Sequence, residues 1–143
     1  MSVFLLDVNV LVALADPAHV QHDTAHTWFG AEGARGFATC PLTENGLLRI
    51  VGHARYPNSP GTPVAAASLL AALRALPGHH FWPDDISLMD SHRVDVNRLL
   101  SHGQVTDSYL LALVCAHGGQ LATLDRRLVV DAVHGGAAGL RQI

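Results

Sequence analysis

The chain has 143 residues, 49% of them hydrophobic and 15% charged, the size and composition of one soluble globular domain with a filled core. Nine basic residues against twelve acidic ones leave a net charge of −3, so no global basic field announces a nucleic acid or a membrane, and an anionic substrate must be met locally. All nine basic residues are arginines; the absence of lysine excludes a P-loop, a Schiff-base lysine, and the lysine beside the acidic pocket of receiver domains and haloacid-dehalogenase phosphatases.

Short apolar runs alternate with longer amphipathic ones, the pattern of a mostly parallel sheet covered by helices on both faces, a three-layer α/β/α domain over residues 1–143. Val3 to Leu6 reads as a buried strand, followed by a helix from Val8 to Ala15 that Asp16-Pro17 stops. A second helix is expected from Val20 to Phe29, and Gly36 to Cys40 as a strand. Pro41 suits the first turn of a helix running to His53. Three prolines make Tyr56 to Pro63 a loop, and Thr62-Pro63 caps an alanine- and leucine-rich helix that ends at Pro77-Gly78. Phe81-Trp82 reads as a strand, Asp85 as the cap of a short helix, and Ser91 to Gly103 carries no clear period. Thr106 is expected to cap an apolar helix reaching His117, which Gly118-Gly119 terminates. Leu121 to Leu124 and Gly139 to Ile143 are the remaining strands.

Four acids fall at the ends of these elements. Asp7 sits where the first strand gives way to a helix, and Asp125 directly follows Leu121 to Leu124. Glu44 with Leu47, Leu48 and Val51 occupies i, i+3, i+4 and i+7, the inward stripe of its helix, and Asp107 repeats the arrangement with Leu110, Leu111 and Val114. In an open parallel sheet the carboxyl ends of strands and the first turns of the following helices share one edge, where ligands bind. Converging carboxylates cannot all ionise uncompensated, and with no lysine at hand a hard divalent cation is the natural neutraliser. The chemistry of such a site is metal-assisted phosphodiester hydrolysis. Taken singly, Asp7 also reads as a helix cap and Asp107 as a favourable first-turn acid.

The ordered set LLDVNVLVAL, PLTENGLLRI, VTDSYLLALV and LATLD resembles the PIN-domain family, specifically the VapC-like toxins of type II toxin–antitoxin systems, and the resemblance spans nearly the whole chain. It implies a PIN-like α/β/α fold and endoribonuclease activity dependent on Mg²⁺, with Mn²⁺ as a substitute. It further implies a homodimer and inhibition by a cognate antitoxin whose tail covers the site. By position, Asp7, Glu44, Asp107 and Asp125 would be the catalytic, metal-binding quartet, with Asn9, Thr106 and Thr123 orienting those carboxylates. A plain TLD followed by Arg126-Arg127 stands where many relatives have TxDxDF, which sets Asp125 apart from the other three.

Candidate phosphate contacts are Arg126 and Arg127 beside Asp125, and Arg49 and Arg55 beyond Glu44. Trp28, Phe29, Phe81 and Trp82 read as core or dimer interface rather than base-stacking platforms. His22 and His26 have the i, i+4 spacing of a helical zinc pair, with His19 nearby, but read better as a solvated helix face. Two lone cysteines, Cys40 and Cys115, an apolar start broken by Asp7 and Asn9, and no membrane-length run point to a cytoplasmic protein. The alternatives are a catalytically silent PIN-like module that binds protein or RNA, and a small metal-dependent phosphatase. A pure binding module gives no reason to bury four acids together, and the missing lysine and DVN in place of DxD weigh against the phosphatase.

Overall fold

The computed structural model describes residues 2–143. Five short strands form one sheet in the order β3-β2-β1-β4-β5, every neighbouring pair parallel. They are β1 (Phe4–Leu6), β2 (Phe37–Thr39), β3 (His79–Phe81), β4 (Gln120–Thr123) and β5 (Leu140–Gln142). The helices are α1 (Val8–Ala15), α2 (His22–Ala31), α3 (Pro41–Val51), α4 (Pro63–Arg74) and α5 (Gln104–His117), with single 3₁₀ turns at Gly33–Arg35 and Val96–Arg98. No helix among the described residues is long and apolar enough to cross a membrane.

Side chains of a strand point alternately to opposite faces, and here the alternation sorts the core into two layers. Phe4, Leu6, Phe37 and Ala122 meet Val10, Leu11, Trp28, Leu47 and Leu70 from α1 to α4 on one face. Leu5, Ala38 and Leu121 meet Leu110, Leu111 and Val114 of α5, with Trp82, Val94 and Leu128, on the other. The sheet is therefore covered on both sides, which is why its inner strands β1 and β2 are buried along their whole length, while the edge strands β3 and β5 carry His79, His80, Arg141 and Gln142. Gly46 lets α3 close on α1, since a Cβ there would stand 2.7 Å from a Val8 methyl.

The chain leaves β1 for β2 and β3 on one side and then returns to β4 on the other, so β1 and β4 flank the point where strand order reverses. A crevice at the carboxyl ends of the strands is the usual ligand position in such sheets.

Several boundaries differ from expectation. α2 starts at His22 rather than Val20, because Asp16, His19 and His22 are linked by a chain of backbone turns and Val20 stands 93% exposed. The helix expected at Asp85 does not form. That stretch is held by contacts distant in sequence: Val94 bridges Val133, and the Asp95 amide donates to the Ala132 carbonyl at 2.8 Å. α5 starts at Gln104, two residues before the expected cap. The Gln104 Oε1 accepts from the amides of Leu100 and Ser101, and its Nε2 donates to the Arg98 carbonyl, so a side chain inside the helix secures the incoming loop.

Candidate active site at the carboxyl edge of the sheet

Asp7 follows β1 and caps α1, its Oδ1 accepting from the Val8 amide at 2.7 Å. Its Oδ2 accepts from the Thr123 hydroxyl at 2.8 Å and from Asn9 Nδ2 at 3.4 Å. Asn9 Nδ2 also donates to Thr123 Oγ1 at 3.1 Å, and Asn9 Oδ1 accepts from the Leu124 amide at 3.1 Å. The Asp125 amide donates to Thr123 Oγ1 at 3.1 Å. Thr123 has one hydroxyl hydrogen and two lone pairs; the hydrogen goes to Asp7 and the lone pairs take Asn9 and Asp125. This network laces the end of β1 to the end of β4, and it places Asn9 and Thr123 against Asp7.

Burial, and then the neighbouring Asp125 charge, push the Asp7 carboxyl up, against the hydrogen bonds from Thr123 and Val8. Asp107, in the first turn of α5, is pushed up to about 6, by burial first and then by the Asp7 and Asp125 charges. These three aspartates are thus electrostatic neighbours on one edge. Among the described residues, however, no three His, Cys, Asp or Glu side chains close into a complete metal cage. The Asp125 Oδ1 accepts from the Arg127 amide at 2.8 Å.

Glu44 departs from the expectation that the acids lack a protein counter-ion. It accepts from the Thr39 hydroxyl at 2.7 Å and forms an ion pair with Arg74, the last residue of α4. The Arg74 guanidinium in turn lies over the Phe81 ring, 5.0 Å from its centroid. His79 Nε2 meets Thr39 Oγ1 at 2.7 Å. Since the Thr39 hydrogen is given to Glu44, the His79 ring N–H is the donor there. Burial and the Arg74 charge hold the His79 imidazole below its ordinary range.

Over 131 residues the chain is 45% identical to Ribonuclease VapC44 of Mycobacterium tuberculosis, an alignment covering 92% of this chain and 92% of that one. This chain belongs to the VapC ribonuclease family. It is also 43% identical over 139 residues to Ribonuclease VapC39 of the same organism, covering 97% of each. No family model matches the chain. Among solved structures, M. tuberculosis VapC20, described as a sarcin-ricin loop cleaving toxin, superposes with a TM-score of 0.64 at 16% identity, covering 99% of this chain and 98% of that one. VapBC2 of Rickettsia felis, solved with a DNA fragment from its promoter, gives 0.58 at 10% identity, covering 98% of each. These two likenesses establish the VapC-type, PIN-like α/β fold, as expected from the sequence.

Within this VapC fold the other candidate residues divide. Thr106 is exposed in the first turn of α5 and makes no side-chain hydrogen bond among the described residues, so it does not orient Asp107; the capping role assigned to it falls to the Gln104 loop anchor. Arg126 and Arg127 are exposed immediately beyond Asp125. Arg49 is carried away from the edge, because five residues of helix put it about 7.5 Å further along α3 than Glu44, and Arg55 lies past the helix end. Together they line a shallow surface with Ile50 and Tyr56, apart from the acids. An apolar cavity of about 440 Å³ opens between α1, α3 and α4, lined by Leu11, Leu14, Leu47, Leu69 and Leu73, and it too lies apart from the acids.

His22 Nδ1 donates to the Ala13 carbonyl at 2.7 Å and the ring stacks on His26. Trp28 and Trp82 are buried, whereas Phe81 is 46% exposed beneath Arg74. Sequence reasoning missed Arg74 and Thr39. The available signal was that Arg74 is the sole charge in PVAAASLLAALR.

Proposed function

We propose that this VapC family member is an endoribonuclease dependent on Mg²⁺, with Mn²⁺ also effective, and that it acts in the cytoplasm as the toxin of a type II toxin–antitoxin pair. The observation that carries this reading is the group of three aspartates, in which the Asp125 charge raises the Asp7 carboxyl and the Asp7 and Asp125 charges raise that of Asp107, while no arginine side chain pairs with them among the described residues.

The donor set fits a hard cation. It is all oxygen, and Mg²⁺ takes one or two protein carboxylates and keeps several waters, so an incomplete protein cage is the form such a site takes. Asp7 and Asp107 would hold it, with Asp125 at the flank. When bound, a divalent cation supplies a water nucleophile at neutral pH and neutralises charge on the scissile phosphate. The chain's own groups do the rest. Thr123, Asn9 and the Val8 amide hold the Asp7 carboxylate in place at the end of β1. Arg126 and Arg127 offer guanidinium forks to phosphates beside Asp125. Only an RNA long enough to run over α3 would reach Arg49 and Arg55. The shared sheet supports reading residues 1–143 as a single domain, and the Rickettsia felis VapBC2 neighbour supports a cognate antitoxin partner. A homodimer completes the proposal.

The test is digestion of total cellular RNA by purified protein with Mg²⁺, with Mn²⁺ and with EDTA, alongside Asp7→Ala and Asp107→Ala. Discrete fragments are expected with either metal, none in EDTA and none from either variant. Protein freed of antitoxin that binds metal yet leaves RNA intact would overturn the reading in favour of a silent binding module.

A further inference from the structure

We infer that the groove between the start of α5 and the two loops flanking it is a base-recognition site, in which Asp131 takes a guanine of the RNA near the scissile phosphate. This rests on the nuclease reading and gives that site its sequence preference.

Position comes first. The groove, about 400 Å³, is lined by Arg98, Leu100, Ser101, Gln104, Val129 and Asp131. Gln104 opens α5 and Asp107 stands three residues on, a spacing that makes side chains neighbours on one helix face, ~5–6 Å apart at Cβ. On the other wall Val129 follows Asp125 by four residues, at most about 14 Å of chain. The Asp125 charge reaches Asp107, so the segments that carry these two aspartates are also those that form the groove.

The walls suit a base. Leu100 is 82% exposed and Val129 40%, two aliphatic side chains from different loops, and a base held in a protein pocket packs its faces against such groups. Both loops are anchored. Gln104 Oε1 holds the Leu100 and Ser101 amides, and the carbonyl of Ala132, next to Asp131, accepts from the Asp95 amide at 2.8 Å. A groove whose walls are already fixed loses little entropy on binding.

The polar groups choose the base. Asp131 makes no ion pair and no side-chain hydrogen bond among the described residues. A carboxylate repels a phosphate and accepts from donors only. Guanine alone presents two adjacent donors, N1–H and N2–H, on its Watson–Crick edge to match two carboxylate oxygens; adenine, cytosine and uracil each set an acceptor beside their single donor group. The remaining group on that edge, O6, is an acceptor. Arg98 pairs with Asp95 through Nε at 3.5 Å, which leaves its terminal N–H groups for O6. An arginine from a protein partner would also match Asp131, but it would bring a second guanidinium against Arg98 in the same groove.

Two measurements on antitoxin-free wild type, Asp131→Asn, Leu100→Ala and Arg126→Ala test this. Anisotropy reads binding of a fluorescent mixed-sequence oligoribonucleotide and of the same strand with inosine for guanine, which removes only the N2 amino group; Ca²⁺ is present and strand integrity is checked on a gel. Sequencing of fragment ends reads the bases around the cuts made in random-sequence RNA with Mg²⁺. Wild type should bind the guanine strand about fivefold more tightly than the inosine strand and cut with guanine enriched at one position near the scissile bond. Asp131→Asn should bring the two strands within about twofold and abolish the enrichment, at an unchanged Tm, since this exposed side chain supports nothing in the fold. Leu100→Ala and Arg126→Ala should weaken both strands alike and keep their ratio.

Equal binding of the two strands by wild type would overturn the inference, as would a guanine preference that survives in Asp131→Asn. If that variant keeps the preference but no longer co-purifies with the antitoxin, the groove belongs to the protein partner instead. The binding measurement needs no cleavage, so a wild type that separates the strands but cuts nothing sinks the nuclease reading and leaves the base preference standing.

Discussion

A carboxylate that makes no hydrogen bond and one that accepts several respond differently to the same crowding. Asp7 is steadied by the Val8 amide and the Thr123 hydroxyl, whereas Asp107 has no such partner and is pushed up to about 6 by burial and two like charges. For a carboxyl raised above its ordinary value, the ionised form costs stability at every pH above the raised value, and the cost fades as pH falls through it. At pH 8 in EDTA, Asp107→Asn should therefore melt a few degrees above wild type while losing RNA cleavage. A melting scan checks this, and a lower Tm would show that Asp107 is not strained by its neighbours. Residue by residue, the positions of Asp7 and Asp125 were legible because strand ends and capping chemistry are local, whereas Asn9 and Thr123 came only from the family resemblance, since the contact of Thr123 with Asp7 spans 116 residues. Glu44's partner was not, since Arg74 is 30 residues away and nothing in either segment points to the other. Thr106 looked like a cap by residue type, but the buried Gln104 amide secures the helix start more completely.

At the scale of elements, the seam between α3 and α4 decides where Arg74 ends up. Gly52 caps α3, and a Cβ there would stand 2.7 Å from Pro63 Cα and closer still to the Leu48 carbonyl oxygen. Backbone cannot yield as a flexible side chain can, so Gly52→Ala must prise α4 away from α3. The expected cost is roughly 1–3 kcal/mol, measured by denaturant unfolding. Unchanged stability would mean that the two helices part without consequence. The helices themselves were largely readable. Thr62 caps α4 as its position before Pro63 implies, its side chain accepting from the Ala65 amide, and Gly118 adopts the left-handed conformation that ends α5. The run from Trp82 to Gly103 was not readable, because its order comes from the bridge of Val94 to Val133 rather than from its own period.

For the molecule as a whole, alternation of side chains within strands of three or four residues announced a covered parallel sheet, but the order of those strands is a property of the packed assembly. One residue ties distant segments together from the opposite side of α1. Asp16 is buried, which alone would raise its carboxyl, yet the Tyr56 hydroxyl at 2.5 Å, Asn58 and the Ala18 amide hold it below its ordinary range. A lowered value contributes stability above the ordinary carboxylate range, and that contribution is lost as pH falls through the lowered one. Asp16→Asn should thus be less stable than wild type at neutral pH, and the gap should close below about pH 3.8. Chemical denaturation at several pH values measures it, and a gap that persists in acid would assign the loss to packing instead of charge.

The hydrogen bond from Thr123 to Asp7 joins residues 116 positions apart, and it has a consequence in time as well as in space. During synthesis, Asp7 is made before α5 and β4 and waits for them. Until those late segments emerge, a nascent chain has Asp7 without Asp107, Asp125 or the hydroxyl that orients it. For a ribonuclease made on a machine built of RNA, assembling the acidic edge from segments far apart in the sequence would delay activity until α5 and β4 have been made.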